Sequence, residues 1–136
     1  SRDELGVVSD QIGAPTHADL IADVTAHCLH YYKRTNVAEQ RELLGTYHLV
    51  AAGETSWNEY ARFILGLAEQ GDMSLRIKPS DVKEITSDAY PVPARRPKNS
   101  RLSCKKLEAI FNLQMPHWRH HVQLAMRELI EQGAVA

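Results

Sequence analysis

Val7-Val8-Ser9-Asp10-Gln11-Ile12-Gly13-Ala14-Pro15-Thr16 carries the clearest fold signal in the chain. The apolar pair Val7-Val8 reads as a short buried strand. It runs into a polar turn punctuated by Gly13 and Pro15, after which the Thr16 hydroxyl is placed to cap a helix. Asp19 lies three residues further on, in the capping-box position, and sets negative charge at the helix N-terminus. Behind it Leu20, Ile21, Val24, Cys28 and Tyr31 recur at three- and four-residue spacing, which predicts an amphipathic helix over residues 17–33. Strand, loop and capped helix in this order start an α/β unit, whose ligands sit in loops at strand ends. A plain turn and cap accounts for Gly13, Pro15 and Thr16 but leaves Asp10 and Gln11 unexplained.

Further along, Lys33 to Glu42 is polar and reads as a surface connection, and Tyr47 to Ala51, between Gly45 and Gly53, reads as a compact strand. Ser56 with Glu59 forms a second capping box. The helix it opens has Trp57, Tyr60, Ala61, Ile64, Leu67 and Ala68 as its buried stripe and ends near Gly71. Leu75 to Ile77 alternates as a strand would. Lys78 to Arg101 holds Pro79, Pro91, Pro93 and Pro97 and reads as one long loop, since proline withholds a ladder donor. Ser103 is expected to cap a short helix carrying Leu107, Ile110 and Phe111. Pro116 opens the last helix, with Trp118, Val122, Ala125, Met126 and Leu129 facing inward and Gly133 ending it. Trp57 and Trp118 both fall on apolar stripes and are read as core anchors. The expected class is α/β, or α+β if the strands pair antiparallel, with helices packed on a small mixed sheet.

The length of 136 residues suits a single domain with its own core. With 16 Lys and Arg against 17 Asp and Glu, no bulk field marks a nucleic-acid or acidic-membrane binder. No stretch approaches the about 20 apolar residues of a membrane span, and Ser1 to Gln11 does not read as a signal peptide. A cytoplasmic protein is expected, with Cys28 and Cys104 as reduced thiols rather than a disulfide. A buried-looking strand at Val7-Val8 with no upstream partner reads as a cut through a larger protein.

Several chemistries lack their residues. Glycines at 6, 13, 45, 53, 66, 71 and 133 cannot be assembled into the glycine-rich turn that brings pyrophosphate against backbone N–H groups. No tyrosine has a lysine four residues after it, as a short-chain reductase requires. Hydrolase, P-loop and zinc-finger spacings are missing too. His117, His120 and His121 could present two imidazoles on one helical face. With no adjacent cysteine or acidic ligand, they read as a solvated first turn. What remains is Tyr90-Pro91-Val92-Pro93-Ala94-Arg95-Arg96-Pro97-Lys98-Asn99-Ser100-Arg101-Leu102. Prolines hold such a backbone extended, guanidinium groups bind phosphate bidentately, and Asn99 and Ser100 add neutral donors and acceptors. On physics alone, a solvated loop whose arginines pair with nearby carboxylates is the commoner arrangement.

Taken in order, these segments resemble the C-terminal part of the dTDP-4-dehydrorhamnose reductase family, among the extended short-chain reductases. The stretches that carry the resemblance are Val8 to Thr16, Gly45 to Ala51, and Thr55-Ser56-Trp57 with Tyr60-Ala61. Ala89-Tyr90-Pro91, Ala94 to Leu102 and Pro116-His117-Trp118 complete the set. The resemblance implies NADPH- or NADH-dependent reduction of the 4-keto group of dTDP-6-deoxy-L-lyxo-4-hexulose. The cofactor site and catalytic Tyr/Lys pair would then lie in an N-terminal Rossmann half absent from this chain. Residues 1–136 would form the C-terminal substrate-binding portion, with no catalytic residue of its own, and close over a dTDP-sugar with Gln11, Arg95, Arg96 and Asn99 nearest the cleft. The resemblance also implies a possible homodimer joined through Mg²⁺, with Asp19 and Glu128 at the matching carboxylate positions. Asp19 is one carbon shorter than the glutamate of that pattern, and a capping role already accounts for it. Two other classes stand beside this one: a non-catalytic regulatory relative, as in the beta subunit of methionine adenosyltransferase, and a free-standing interaction domain.

Overall fold

The computed structural model describes residues 4–90, 93–94 and 96–132. Strand β1 (Leu5–Val8) pairs in parallel with β4 (Val82–Ile85), Leu5 opposite Val82 and Val8 opposite Ile85. The two-residue strand β2 (Ile12–Gly13) pairs antiparallel with β3 (Thr55–Ser56). Around these ladders lie α1 (Ala18–Arg34), α2 (Val37–Glu42), α3 (Trp57–Gln70), α4 (Lys105–Phe111) and α5 (Trp118–Glu131). The class is α/β as expected, with the mixed pairing split between two small ladders. Helix α3 packs on β1 and β4 on one side and along α5 on the other.

Trp118 is the centre of the core, 1% exposed. The rings of Phe63 and Tyr60 from α3 meet it edge to face, at 5.1 and 6.0 Å between centroids. Leu20 and Val24 of α1, Leu107 and Phe111 of α4, and Val122 of α5 close around it. Burying an aliphatic or phenyl side chain of this kind is worth about 1.5–3 kcal/mol, so this cluster is what holds the helices together. The helix stripes are narrower than their spacing suggests. Ile21, Tyr31 and Leu129, read as inward-facing, are each more than two-fifths exposed.

Local capping explains some boundaries and corrects others. Ser56 caps α3 as expected, accepting from the Glu59 N–H at 3.1 Å. The Glu59 carboxylate instead accepts from the Thr55 hydroxyl at 3.0 Å and pairs with Arg119. Thr16 does not cap α1. Its hydroxyl donates to the Ala14 carbonyl and accepts from the Ala51 N–H at 3.1 Å, and His17 takes the cap, its Nδ1 accepting from Asp19 N–H. His117 Nδ1 caps α5 in the same way, accepting from Arg119 N–H at 3.3 Å. Ser103 gives way to Cys104, which precedes α4 without a side-chain cap bond.

Tyr47 to Ala51 is not a strand, although its residues pack against the core. Side chains take the roles a neighbouring strand would have played. Val50 N–H donates to Cys104 Sγ and Ala51 N–H to Thr16 Oγ1. Only at Ala52 does a backbone pairing form, with N–H to the Pro116 carbonyl and C=O from Trp118 N–H, both 2.9 Å. Leu75 to Ile77 forms no strand either. Instead the supposed loop from Lys78 carries β4 and two 3₁₀ turns, at Pro79–Asp81 and Ser87–Ala89, and the supposed connection after Lys33 carries α2. Both cysteines are free thiols, and Gly133 lies outside the described residues.

Gly53 follows the Ala52 junction at φ +82°, and a Cβ there would overlap the His117 imidazole. Gly53→Ala should therefore cost roughly 1–3 kcal/mol in chemical denaturation. Gly66, inside α3 with nothing within 4 Å of an added Cβ, should gain about 0.4–1 kcal/mol on the same change. Equal responses of the two variants would contradict this account of the junction.

Candidate functional site

Parallel pairing brings the carboxyl ends of β1 and β4 side by side, and polar residues follow each strand directly. Asp10 Oδ1 accepts from both the Ser87 N–H at 2.9 Å and the Ser87 hydroxyl at 2.6 Å. Gln11 Nε2 donates to the same hydroxyl at 3.0 Å. These bonds tie the two strand ends together. Lys98 completes the group, its ammonium 2.9 Å from Asp10 Oδ2. That hydrogen bond, then those from Ser87, hold the Asp10 carboxyl at about 2, below its ordinary 3.8.

The loop at 96–100 reaches this position through Ile12. Ile12 N–H donates to the Lys98 carbonyl and Ser100 N–H to the Ile12 carbonyl, both at 2.8 Å, so Ile12 and Asn99 form a parallel bridge. Two connected hollows result. The larger, about 980 Å³, runs from the β1 backbone past Gln11, Ser87 and Tyr90 to Arg96 and Lys98. The smaller, about 390 Å³, lies between Ile12–Pro15, Thr55–Ser56 and Pro97–Ser100. Gln11, Trp57, Arg96 and Pro97 line both.

Of the residues expected at a cleft, Gln11 and Arg96 stand on it. Asn99 is beside it but lines neither hollow, and its Oδ1 accepts from Arg101 N–H and Nη1. Arg95 lies outside the described residues. Charge pairing sorts the remaining cations. Arg101 grips Glu54 with two hydrogen bonds, at 2.5 and 3.2 Å, which lower the Glu54 carboxyl below its ordinary range. Lys98 is held by Asp10. Arg96 is exposed and forms no ion pair among the described residues. The commoner arrangement thus holds for Arg101 and fails for Arg96.

Trp57 corrects the sequence reading most sharply. It is 51% exposed, not a core anchor, and stands where the two hollows meet, while Trp118 is buried as expected. Position explains this. Trp57 is the first residue of α3, beyond the end of the packed stripe, and its side chain covers the turn before the helix. Tyr90 and Ser87 were also missed, because both follow a strand that the sequence did not reveal.

Asp19 is solvent-facing, its side chain 73% exposed and 3.6 Å from His17 Nδ1. Glu128 is exposed on α5. His121 stacks on His17 at 6.2 Å and meets His120 edge-on at 5.2 Å. Among the described residues no group of three His, Cys, Asp or Glu is placed to hold a metal, and no helix is long and apolar enough to cross a membrane.

With this geometry in hand, comparison places the chain among known proteins. A family model described as the RmlD substrate binding domain matches residues 1–131. The chain belongs to this family. Within it, the chain is 40% identical over 134 residues to the dTDP-4-dehydrorhamnose reductase of Shigella flexneri, covering 98% of this chain and 42% of that one. To the enzyme of the same name from Burkholderia thailandensis it is 41% identical over 131 residues, covering 96% and 44%. The crystal structure of a Bacillus anthracis dTDP-4-dehydrorhamnose reductase in complex with NADP superposes with a TM-score of 0.72. It is 28% identical, with 93% of this chain and 39% of that one covered. A Clostridium acetobutylicum reductase gives 0.72 and 28% over 98% of this chain and 40% of its own. An RmlD substrate binding domain of this length therefore spans about two-fifths of the relatives it matches.

The Asp10 tie gives a pH prediction. Its folded-state carboxyl lies below the unfolded value, so its contribution is fully present above about pH 3.8 and is lost as pH falls toward about 2. Lys98→Met should move the Asp10 carboxyl, followed by carbon-detected NMR, upward toward 3.8. Asp10→Asn should flatten the dependence of stability on pH in that window. An Asp10 titration unmoved by Lys98→Met would contradict the pairing.

Proposed function

We propose that this RmlD substrate binding domain forms the sugar-nucleotide side of a dTDP-4-dehydrorhamnose reductase, the enzyme that reduces dTDP-6-deoxy-L-lyxo-4-hexulose to dTDP-L-rhamnose. The observation that carries the reading is Arg96. It is a guanidinium without a carboxylate partner among the described residues, held at the mouth of a cleft at the carboxyl ends of two parallel strands. Gln11, Arg96 and Lys98 line the same wall. Arg95, next in sequence, belongs to the proposal on the resemblance alone, and Asn99 acts by fixing the loop through Arg101 rather than by touching ligand.

The cleft binds and orients; it does not supply the reduction. NADPH or NADH does not fit these walls, because no glycine-rich turn joins a strand to a helix. Tyr90 stands on the cleft, but Ala94 occupies the place of the lysine that would lower its pKa. Cofactor and catalytic pair therefore belong, on this reading, to a Rossmann domain outside residues 1–136, with cytoplasmic polysaccharide-precursor synthesis as the setting. The reductase names of the relatives favour this over a regulatory role. A homodimeric Mg²⁺ site using Asp19 and Glu128 would have to complete its oxygen shell from a second chain, because among the described residues no group of three His, Cys, Asp or Glu is placed to hold a metal.

Titration of the chain by NMR with dTDP and dTDP-L-rhamnose, with NADPH as control, tests the reading. Shifts should cluster at Gln11, Arg96 and Lys98 with either sugar-side ligand. NADPH should give none, and the keto sugar should not be turned over. Shifts from NADPH alone, or turnover by the pure chain, would overturn the division of labour.

A further inference from the structure

We infer that Asp10 and Ser87 are positioning residues that fix Gln11 as a hydrogen-bond acceptor, so that the strand-end wall of the larger hollow recognises the hydroxyl groups of a sugar. This rests on the sugar-nucleotide reading and names what that wall selects.

The direction of the hydrogen-bond chain follows from one ionised group. A carboxylate only accepts, and Asp10 is kept as a carboxylate by the Lys98 ammonium 2.9 Å from its Oδ2. The Ser87 hydroxyl lies 2.6 Å from Asp10 Oδ1, so its one proton is spent there, and the Ser87 N–H is spent on the same oxygen at 2.9 Å. Only lone pairs remain on the Ser87 hydroxyl oxygen. The Gln11 side chain reaches that oxygen at 3.0 Å, and it can bond there only through its amide nitrogen. The two ends of a carboxamide are alike in shape and opposite in hydrogen-bonding role. Here a neighbouring carboxylate, acting through a hydroxyl, decides which end is which.

The Gln11 carbonyl oxygen is the group this relay leaves over. Gln11 is half-buried and lines the larger hollow, and its carbonyl oxygen accepts no hydrogen bond among the described residues. Asp88, the residue after Ser87, adds an exposed carboxylate to the same wall. Both groups accept. A sugar hydroxyl brings a proton to each of them, whereas a carbonyl or phosphate oxygen finds no donor in either. A site built around such hydrogen bonds discriminates against a ligand that lacks the matching group. The contacts between Asp10 and Ser87 are enough to join the two strand ends. The further bond from Gln11 makes that joint an orienting device.

NMR of the unmodified 136-residue chain tests the relay without any ligand. The Gln11 side-chain amide should be protected from exchange with water. Ser87→Ala should remove that protection, and Ser87→Thr, which keeps the hydroxyl, should restore it. Calorimetric titration with dTDP-L-rhamnose and dTDP then tests what the relay serves. Ser87→Ala and Gln11→Met should each weaken dTDP-L-rhamnose relative to dTDP by about three- to tenfold, the worth of one neutral hydrogen bond. The double variant should lose no more than either single one, because Ser87 acts through Gln11; a merely structural Ser87 would give additive losses. A freely exchanging Gln11 amide in the unmodified chain, additive losses, or equal losses for the two ligands overturns the inference, and dTDP-L-rhamnose binding in that case leaves the sugar-nucleotide reading standing. If the unmodified chain binds no dTDP-L-rhamnose, both fall.

Discussion

Strand β2 is paired along both of its edges, and the geometry of the site follows from that. On one side β2 pairs antiparallel with β3, whose last residue caps α3 and so fixes where Trp57 begins. On the other, the Ile12 N–H and carbonyl are both taken by the 98–100 segment, in parallel sense. The N–H and C=O groups of a two-residue strand are too few to form a sheet, but they set the separation of its two neighbours at ladder spacing. The start of α3, with Trp57, and the 96–100 loop, with Arg96, are therefore brought to the same two hollows by their common neighbour β2.

Charge pairing acts at this site as placement rather than as stabilisation. Exposed ion pairs contribute little to folding free energy, typically about 0–1 kcal/mol. Glu54 with Arg101, Glu59 with Arg119 and Asp10 with Lys98 are all substantially solvated on at least one partner. Each nonetheless joins segments far apart in sequence. Arg101 fastens the C-terminal side of the proline-rich loop to the residue before β3, and Lys98 fastens its middle to the end of β1. With those cations committed, Arg96, two residues before the Lys98 anchor, keeps a guanidinium that pairs with no carboxylate among the described residues.

Local signals in the sequence were legible where a single turn of chain contains both partners. Ser56 with the Glu59 N–H is such a case, as are the extents of α1, α3 and α5, whose periodic stripes are long. Signals failed where the partner was distant. Tyr47 to Ala51 has a strand's composition, but a thiol from Cys104 and a hydroxyl from Thr16 satisfy its N–H groups, and no spacing rule exposes that. Strand β4, Val82-Lys83-Glu84-Ile85, puts two exposed charges between its apolar ends and sits among prolines, so it reads as loop until β1 is beside it. The site was half visible for the same reason. Gln11 and Arg96 announce themselves by type, whereas Ser87 and Tyr90 matter only because β4 delivers them. Trp57 was misplaced because helical periodicity has no term for the helix end.

A cleft assembled this way can be selective without being reactive. The carboxylate beside it, Asp10, is held ionised by Lys98 and by two hydrogen bonds from Ser87, far below the range where it would exchange a proton near neutrality. Its tyrosine lacks the lysine that would tune it. On the proposed reading, groups so fixed contribute by orientation, holding a sugar nucleotide in register with the strand ends. On that reading, the hydride donor and the proton would both come from outside these walls. A domain that binds substrate and a domain that binds cofactor can then each be rigid, with the chemistry confined to the space where they meet.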